Sequence, residues 1–332
     1  MASSRLIWAD SLKGILILLV VLGHAIQYTI DDGCYTNHLW NIIYSFHMPA
    51  FMAMSGFFAY RIGGSKNNVI QTIYRRFRQL LIPYLLWTFL LMIICNNLKK
   101  QRIWELFLYP DKGLWFLWVL FFIAVLFILC EWLAKSIRIK QEIIVVLACF
   151  ILALSMILFK TKIFSIQLIS YYFLFYSLGY YAHKHYEVIL SIKARLIVLL
   201  ILLWSVLAWF WQMQDIPSIL KGVLIPETII LYMYRFCTAT IAITVLLKTM
   251  PLLLNSGKVW NKPFMKLGQI SLGIYSINFL VLGNLVPLIK RMVQNNNMVI
   301  FLSFVLGSLC AWCVIWLLSK WKVTTMWLLG KV

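Results

Sequence analysis

The stretch DSLKGILILLVVLGHA, residues 10–25, decides how this chain is read. It opens an apolar run of membrane-spanning length, yet it carries Lys13 and His24. Ionisable side chains inside a bilayer are costly, and they face a protein interior or a water-filled cavity rather than lipid. The two lie 11 positions apart. At about 100° per residue that is roughly three turns, so both fall within about 20° of one helix face. The rise between them is roughly 16 Å. A cation near one membrane surface and an imidazole deeper in the bilayer therefore look into the same groove. The run lacks a small-x-small cleavage site, so it reads as a retained span rather than a signal peptide.

Working outward, the rest of the chain repeats that apolar character. Hydrophobic residues make up 63% and charged residues 12%, with a mean hydropathy of +0.89. Soluble domains carry about 25% charged residues. The pattern predicts an all-α integral membrane protein, a bundle of about ten transmembrane helices. The expected spans are 11–30, 39–60, 79–95, 114–133, 142–159, 164–182, 194–211, 224–247, 267–289 and 298–319. The fifth and sixth join through a very short turn holding Lys160 and Lys162. No loop exceeds about 20 residues, which leaves no room for a second folded module, so 1–332 reads as one polytopic domain.

The formal charge of +20 excludes neither membrane nor nucleic acid by itself. Its distribution favours the membrane and argues against nucleic acid, because the basic residues fall in short loops between apolar runs. Twenty Lys and Arg fall on one side, including Arg61, Lys66, Lys258 and Lys331, and nine on the other. This asymmetry places both termini in the cytoplasm and the Arg61–Arg78 loop with them. The loop with Asp31 and Asp32 is then external. Anionic lipid headgroups and an anionic cytoplasmic cofactor are the partners this charge implies. Most of the seven cysteines lie within spans, Cys95 among them, and only Cys34 falls in an external loop, so no disulfide framework is expected. Cys310 and Cys313 have CxxC spacing on a membrane helix, and no metal site is expected.

His24 lies roughly 9 Å inside the external boundary, and His47 enters roughly 12 Å down the second span. A short loop joins these helices, so the imidazoles are expected at similar depth. Each could be a histidine bridging helices. Each could instead be a general base removing a proton from a hydroxyl, a reading that His24 favours more than His47 and a task suited to a pKa near the operating pH. Pro49 is expected to kink the second span and open space beside His47. Ser55 and Gly56 permit close helix approach. Asp10 and Lys13 are spaced for a helical ion pair, although Lys13 can also snorkel to the interface. Gly14 lets a ligand or another helix come close. Arg75, Arg76 and Arg78 serve the positive-inside bias, and their planar forks also suit phosphate. Glu227 and Arg235 lie about 80° apart around the eighth span, which argues against a direct pair. Trp115 sits where a span meets an interface, and the tyrosines between Tyr171 and Tyr181 give the sixth span an aromatic lining. From the residues alone, an enzyme and a transporter or flippase for a lipid-linked sugar fit about equally well.

Five stretches together resemble the acyltransferase-3 family of membrane acyltransferases, near its fucose and polysaccharide O-acetyltransferase branch. They are DSLKGILILLVVLGHA (10–25), FHMPAFMAMSGFF (46–58), RRFRQLLIPYLLW (75–87), LWFL (114–117) and LGQISLGIYSIN (267–278). The resemblance implies about ten helices in the inner membrane of a bacterial cell envelope. It implies transfer of an acyl group, usually acetyl, from cytoplasmic acyl-CoA to a hydroxyl of a sugar, polysaccharide or lipid-linked glycan, without a metal. Carried onto this chain, His24 becomes the catalytic histidine and His47 the histidine of the second-helix motif. Lys13 stands where the family commonly has arginine, and Arg75, Arg76 and Arg78 form the basic cluster for the donor. Asn278 stands where many relatives have histidine.

Overall fold

The computed structural model describes residues 6–31, 33–60, 68–94, 100–158, 161–254 and 261–331. Asp32, Arg61, Lys66, Cys95, Lys160, Lys258 and the expected span end at Phe159 lie outside the described residues. In chain order the helices are α1 (Ile7–Thr29), α2 (His38–Tyr44), α3 (His47–Phe57), α4 (Val69–Arg76), α5 (Ile82–Ile94), α6 (Lys100–Leu108), α7 (Trp115–Ser136) and α8 (Gln141–Leu158). There follow α9 (Ile166–Lys184), α10 (Tyr186–Ser191), α11 (Ala194–Trp209), α12 (Glu227–Leu254), α13 (Asn261–Gln269), α14 (Ser271–Met292), α15 (Asn296–Leu318) and α16 (Lys322–Trp327). No strand occurs among the described residues. This is the outcome a bilayer enforces, since a helix satisfies its own backbone donors and acceptors where no water can.

Among the described residues seven helices are long and apolar enough to cross a membrane: Ile7–Thr29, Val69–Ile94, Trp115–Ser136, Ile163–Lys184, Glu227–Leu254, Ser271–Met292 and Asn296–Leu318. The sequence led to an expectation of about ten. The difference has identifiable causes. Gln141–Met156 and Ala194–Trp209 are apolar but shorter, and the expected second span is two short helices, α2 and α3.

The chain divides into two compact units. The first comprises Met1–Met54 and His185–Leu317, the second Ser55–Lys184 and Leu318–Val332, so the division falls inside α3. In the first unit α1 is the hub, touching α2, α12, α13 and α14. Its apolar window is 72% buried, against 28–50% for the other six candidate spans, which is why it can carry polar side chains. The approach of α13 to α1 is backbone to backbone. A methyl on Gly14 would strike the Phe264 carbonyl, and one on Gly268 would strike the Asp10 carbonyl. Small residues at such a crossing replace the hydrophobic driving force that lipid removes. Near Cys34 an apolar cluster joins Ile26, Trp40, Ile43, Trp211 and Ile300. Burial pushes the Cys34 thiol up from its ordinary pKa, so Cys34 acts as a small core residue rather than a reactive one.

In the second unit α7, α8 and α9 pack on one another, and α4 lies on α7. Gly56 brings α3 against the Tyr176 carbonyl of α9. Between α4 and α5 the helix widens to a π turn over Phe77–Leu81, with the Ile82 N–H reaching back to the Phe77 carbonyl. The cause is Pro83, which has no N–H and whose ring collides with the carbonyl four residues earlier. That carbonyl belongs to Gln79, and it lies against Gly330, whose φ of 61° suits glycine. The C-terminal segment is held there by the Trp87 indole N–H donating to the Leu328 carbonyl at 2.9 Å.

Candidate active site

The break between α2 and α3 builds the site around His47. Pro49 leaves the Ser45 carbonyl without its helical donor and crowds it. The helix therefore stops at Tyr44, turns through Ser45 and Phe46, and restarts at His47, with Pro49 in the first turn where a missing N–H costs nothing. The expected kink at Pro49 is thus a full break before it. The Ile43 carbonyl, freed by the break, is taken by the His47 ring, Nδ1–H donating at 2.7 Å. A neutral imidazole has one N–H, so this bond leaves the His47 Nε2 lone pair bare. The His47 side chain is buried, at 2% exposure. Tyr44 lies edge-on to it at 4.6 Å between ring centroids and also presses on Gly23 of α1. The Tyr44 hydroxyl donates to Gln27 Oε1 at 3.4 Å.

His24 projects from the same part of α1, one residue after Gly23. Its Nδ1 lies 2.5 Å from Nδ2 of Asn278 on α14. The Asn278 side chain is 1% exposed, and its Oδ1 is buried with no hydrogen-bond partner among the described residues. The Phe279 ring covers the His24 ring at 4.6 Å between centroids. Tyr44 links the two histidines, lying on the His47 ring and against Gly23, the residue before His24. The first unit thus brings His24, His47 and Asn278 together. Lys13 and Asp10 lie on the same helix, Asp10 buried at 6% exposure, near the α13 crossing. Gly14 serves that crossing: it admits a helix, not a ligand.

The other expected residues belong to the second unit. Arg75, Arg76 and Arg78 are half-buried around the start of the π turn. Arg76 donates through Nη1 to Gln79 Oε1 at 3.3 Å, and Arg78 Nη2 meets Met326 Sδ at 3.4 Å. Ser55 lies beside Gly56, at a helix contact. Trp115 stacks on Tyr172, with centroids 5.3 Å apart. This makes Trp115 a packing residue of α7 and α9. Among the described residues no group of three or more His, Cys, Asp and Glu is arranged to hold a metal. Tyr44, Gln27, Gly268 and Phe279 escaped the sequence reading. Tyr44 and Phe279 each flank a motif residue at helical spacing or directly, but an aromatic residue in a span is too common to stand out.

The model of the family described as "Acyltransferase domain" matches residues 6–317, nearly the whole chain. The chain belongs to the acyltransferase-3 family. Within that family, it is 30% identical over 200 residues to the nodulation protein NolL of Sinorhizobium fredii (strain NBRC 101917 / NGR234), covering 54% of this chain and 49% of that protein. It is 36% identical over 129 residues to the nodulation protein NolL of Mesorhizobium japonicum (strain LMG 29417 / CECT 9101 / MAFF 303099), covering 34% of this chain and 32% of that one. The matched part thus spans half or less of the length of these curated relatives. No solved structure matches the chain. As an acyltransferase-3 protein with seven apolar helices of spanning length, it is a multi-pass membrane protein.

Proposed function

We propose that this acyltransferase-3 protein is an O-acyltransferase. It moves an acyl group, in the first instance acetyl, from cytoplasmic acyl-CoA to a hydroxyl of a sugar, polysaccharide or lipid-linked glycan, in the inner membrane of a bacterial cell envelope. The observation that carries this reading is His24, held at its Nδ1 by Asn278 on the buried hub helix. The single family match running across both units supports reading residues 1–332 as one functional domain.

In this mechanism His24 is the general base. Its Nε2 takes the proton of the acceptor hydroxyl as the oxygen attacks the thioester carbonyl. The C–O bond forms, the C–S bond breaks, and the proton on Nε2 passes to the departing CoA thiolate. Such a base is worth about 10²–10⁴ in rate. His47 is a second catalytic group, with its bare Nε2 available as an acceptor. Arg75, Arg76 and Arg78 are the phosphate-holding residues of the second unit, their forks matched to oxyanions. Lys13 supplies a further cation for the donor at the cytoplasmic end of the first helix. No metal takes part.

The test is release of free CoA from acetyl-CoA by the purified protein with candidate sugar acceptors, for wild type and His24→Ala. The reading expects release in the wild type and its loss, by about a hundredfold or more, in a folded variant. Unchanged release in His24→Ala would remove the base. Movement of a lipid-linked sugar with no acyl-CoA consumed would instead identify a flippase.

A further inference from the structure

An asparagine amide can present either of its two ends, nearly identical in shape, to a neighbouring ring nitrogen. The two choices have opposite chemical consequences for His24. If Asn278 Nδ2–H donates to Nδ1, the ring proton must sit on Nε2, and the imidazole has no lone pair left for an acceptor hydroxyl. The Asn278 carbonyl oxygen is then buried without a donor, which costs about 1–3 kcal/mol. If Oδ1 faces Nδ1, it accepts the Nδ1–H bond, and Nε2 is left bare. The amide N–H₂ then takes the place of the orphaned carbonyl, so one buried amide end lacks a partner in either arrangement and that cost does not choose between them. Only the second arrangement gives a base.

We infer that Asn278 is a positioning residue for the reaction: its Oδ1 accepts the Nδ1–H of His24, fixes the ring tautomer and leaves Nε2 as the proton acceptor. This rests on the proposed reading of His24 as the base. The surroundings favour it. The contact is short, at 2.5 Å, and Phe279 covers the ring at 4.6 Å, so the imidazole is held on two sides. His47 follows the same logic with a different acceptor, its Nδ1–H donating to the Ile43 carbonyl. Both histidines then present Nε2. Asn278 needs no titratable side chain for this task, which explains why an amide serves at a position where proton transfer would demand an imidazole.

The experiment compares wild type, Asn278→Asp, Asn278→Leu and His24→Ala as full-length protein in detergent, with ¹⁵N-labelled histidine. The His24 resonances are assigned by their absence in His24→Ala. Wild type and Asn278→Asp are expected to show a protonated Nδ1, because a carboxylate can only accept at that position. Asn278→Leu, similar in size but unable to accept, is expected to shift the proton to Nε2. Its kcat is expected to fall about tenfold or more, with KM for acetyl-CoA unchanged, while Asn278→Asp stays within about tenfold of wild type. Retention of activity in Asn278→Asp guards against misfolding as the cause of the loss. A wild-type His24 carrying its proton on Nε2, or an Asn278→Leu protein with wild-type kcat, would overturn the inference. If His24→Ala abolishes transfer and Asn278→Leu does not, this inference fails alone. If His24→Ala retains transfer, the base reading fails and the positioning role with it.

Discussion

At the scale of single residues, His47 separates structural from chemical roles. Its Nδ1–H closes the Ile43 carbonyl, a structural bond, and this leaves Nε2 as the end that the proposed chemistry would use. Asparagine places an N–H near the position of Nδ1 and carries nothing at Nε2. His47→Asn is therefore expected to keep its melting temperature and lose about a hundredfold in transfer rate. His47→Ala is expected to lose both, because it removes the 2.7 Å bond to the Ile43 carbonyl and leaves the longer one from the Phe46 N–H, at a cost of about 0.5–1.5 kcal/mol. Thermal unfolding beside a CoA-release assay separates the two. Equal rates for wild type and His47→Asn would reduce His47 to a helix-break closure. Whether the histidine does chemistry was not legible in the sequence. A histidine eight residues into an apolar span looks the same in either role, and only the carbonyl at 2.7 Å shows which nitrogen is engaged.

At the scale of helices, two features were half visible. Pro49 announced an irregularity, but its size depended on what else could satisfy the freed groups. The His47 ring, Ser45 Oγ donating to the Ile42 carbonyl at 2.8 Å, and the Phe46 N–H donating to the Ile43 carbonyl at 3.4 Å make a complete break affordable. Pro49→Ala restores the N–H that the Ser45 carbonyl lacks. It is expected to join α2 to α3, leave stability unchanged or raised, and lower the transfer rate about tenfold or more by turning His47 away. Gly14 was open to a ligand or a helix, and α13 decided it. Gly14→Ala and Gly268→Ala should each cost about 1–3 kcal/mol through overpacking. Because both act at one crossing, the double variant should lose less than the sum, as denaturation midpoints would show. Simple additivity would mean that the two glycines relieve separate contacts.

At the scale of the whole molecule, charge and hydropathy govern two further expectations. Twenty Lys and Arg against nine predict that the termini and the loop beginning at Arg61 lie in the cytoplasm. A cysteine placed at Gly222 should then react with an impermeant thiol reagent from outside intact cells, and one at Lys331 only after lysis. The opposite pattern would invert the topology and move the arginines away from cytoplasmic acyl-CoA. Replacing Arg75, Arg76 and Arg78 together with glutamine should raise KM for acetyl-CoA about tenfold or more, since each charge-assisted bond lost is worth about 1.5–3 kcal/mol. An unchanged KM would leave these arginines with topology alone.

The sequence by itself determined the class of the fold, because a bilayer allows apolar runs of spanning length only one regular form that satisfies its own backbone. It also set an expectation for the side of the charged loops, through a bias that depends on composition and not on packing. It marked His24 and Lys13 as costly residues that need a reason. Tertiary structure decided the rest. It decided that α1 is the buried hub, that Gly14 receives α13, that the second span breaks before Pro49, and that Asn278 meets His24 across 254 positions of sequence. These outcomes depend on which helix faces which. In a chain whose helices are apolar nearly all round, periodicity carries little of that information, and only the packed backbone supplies it.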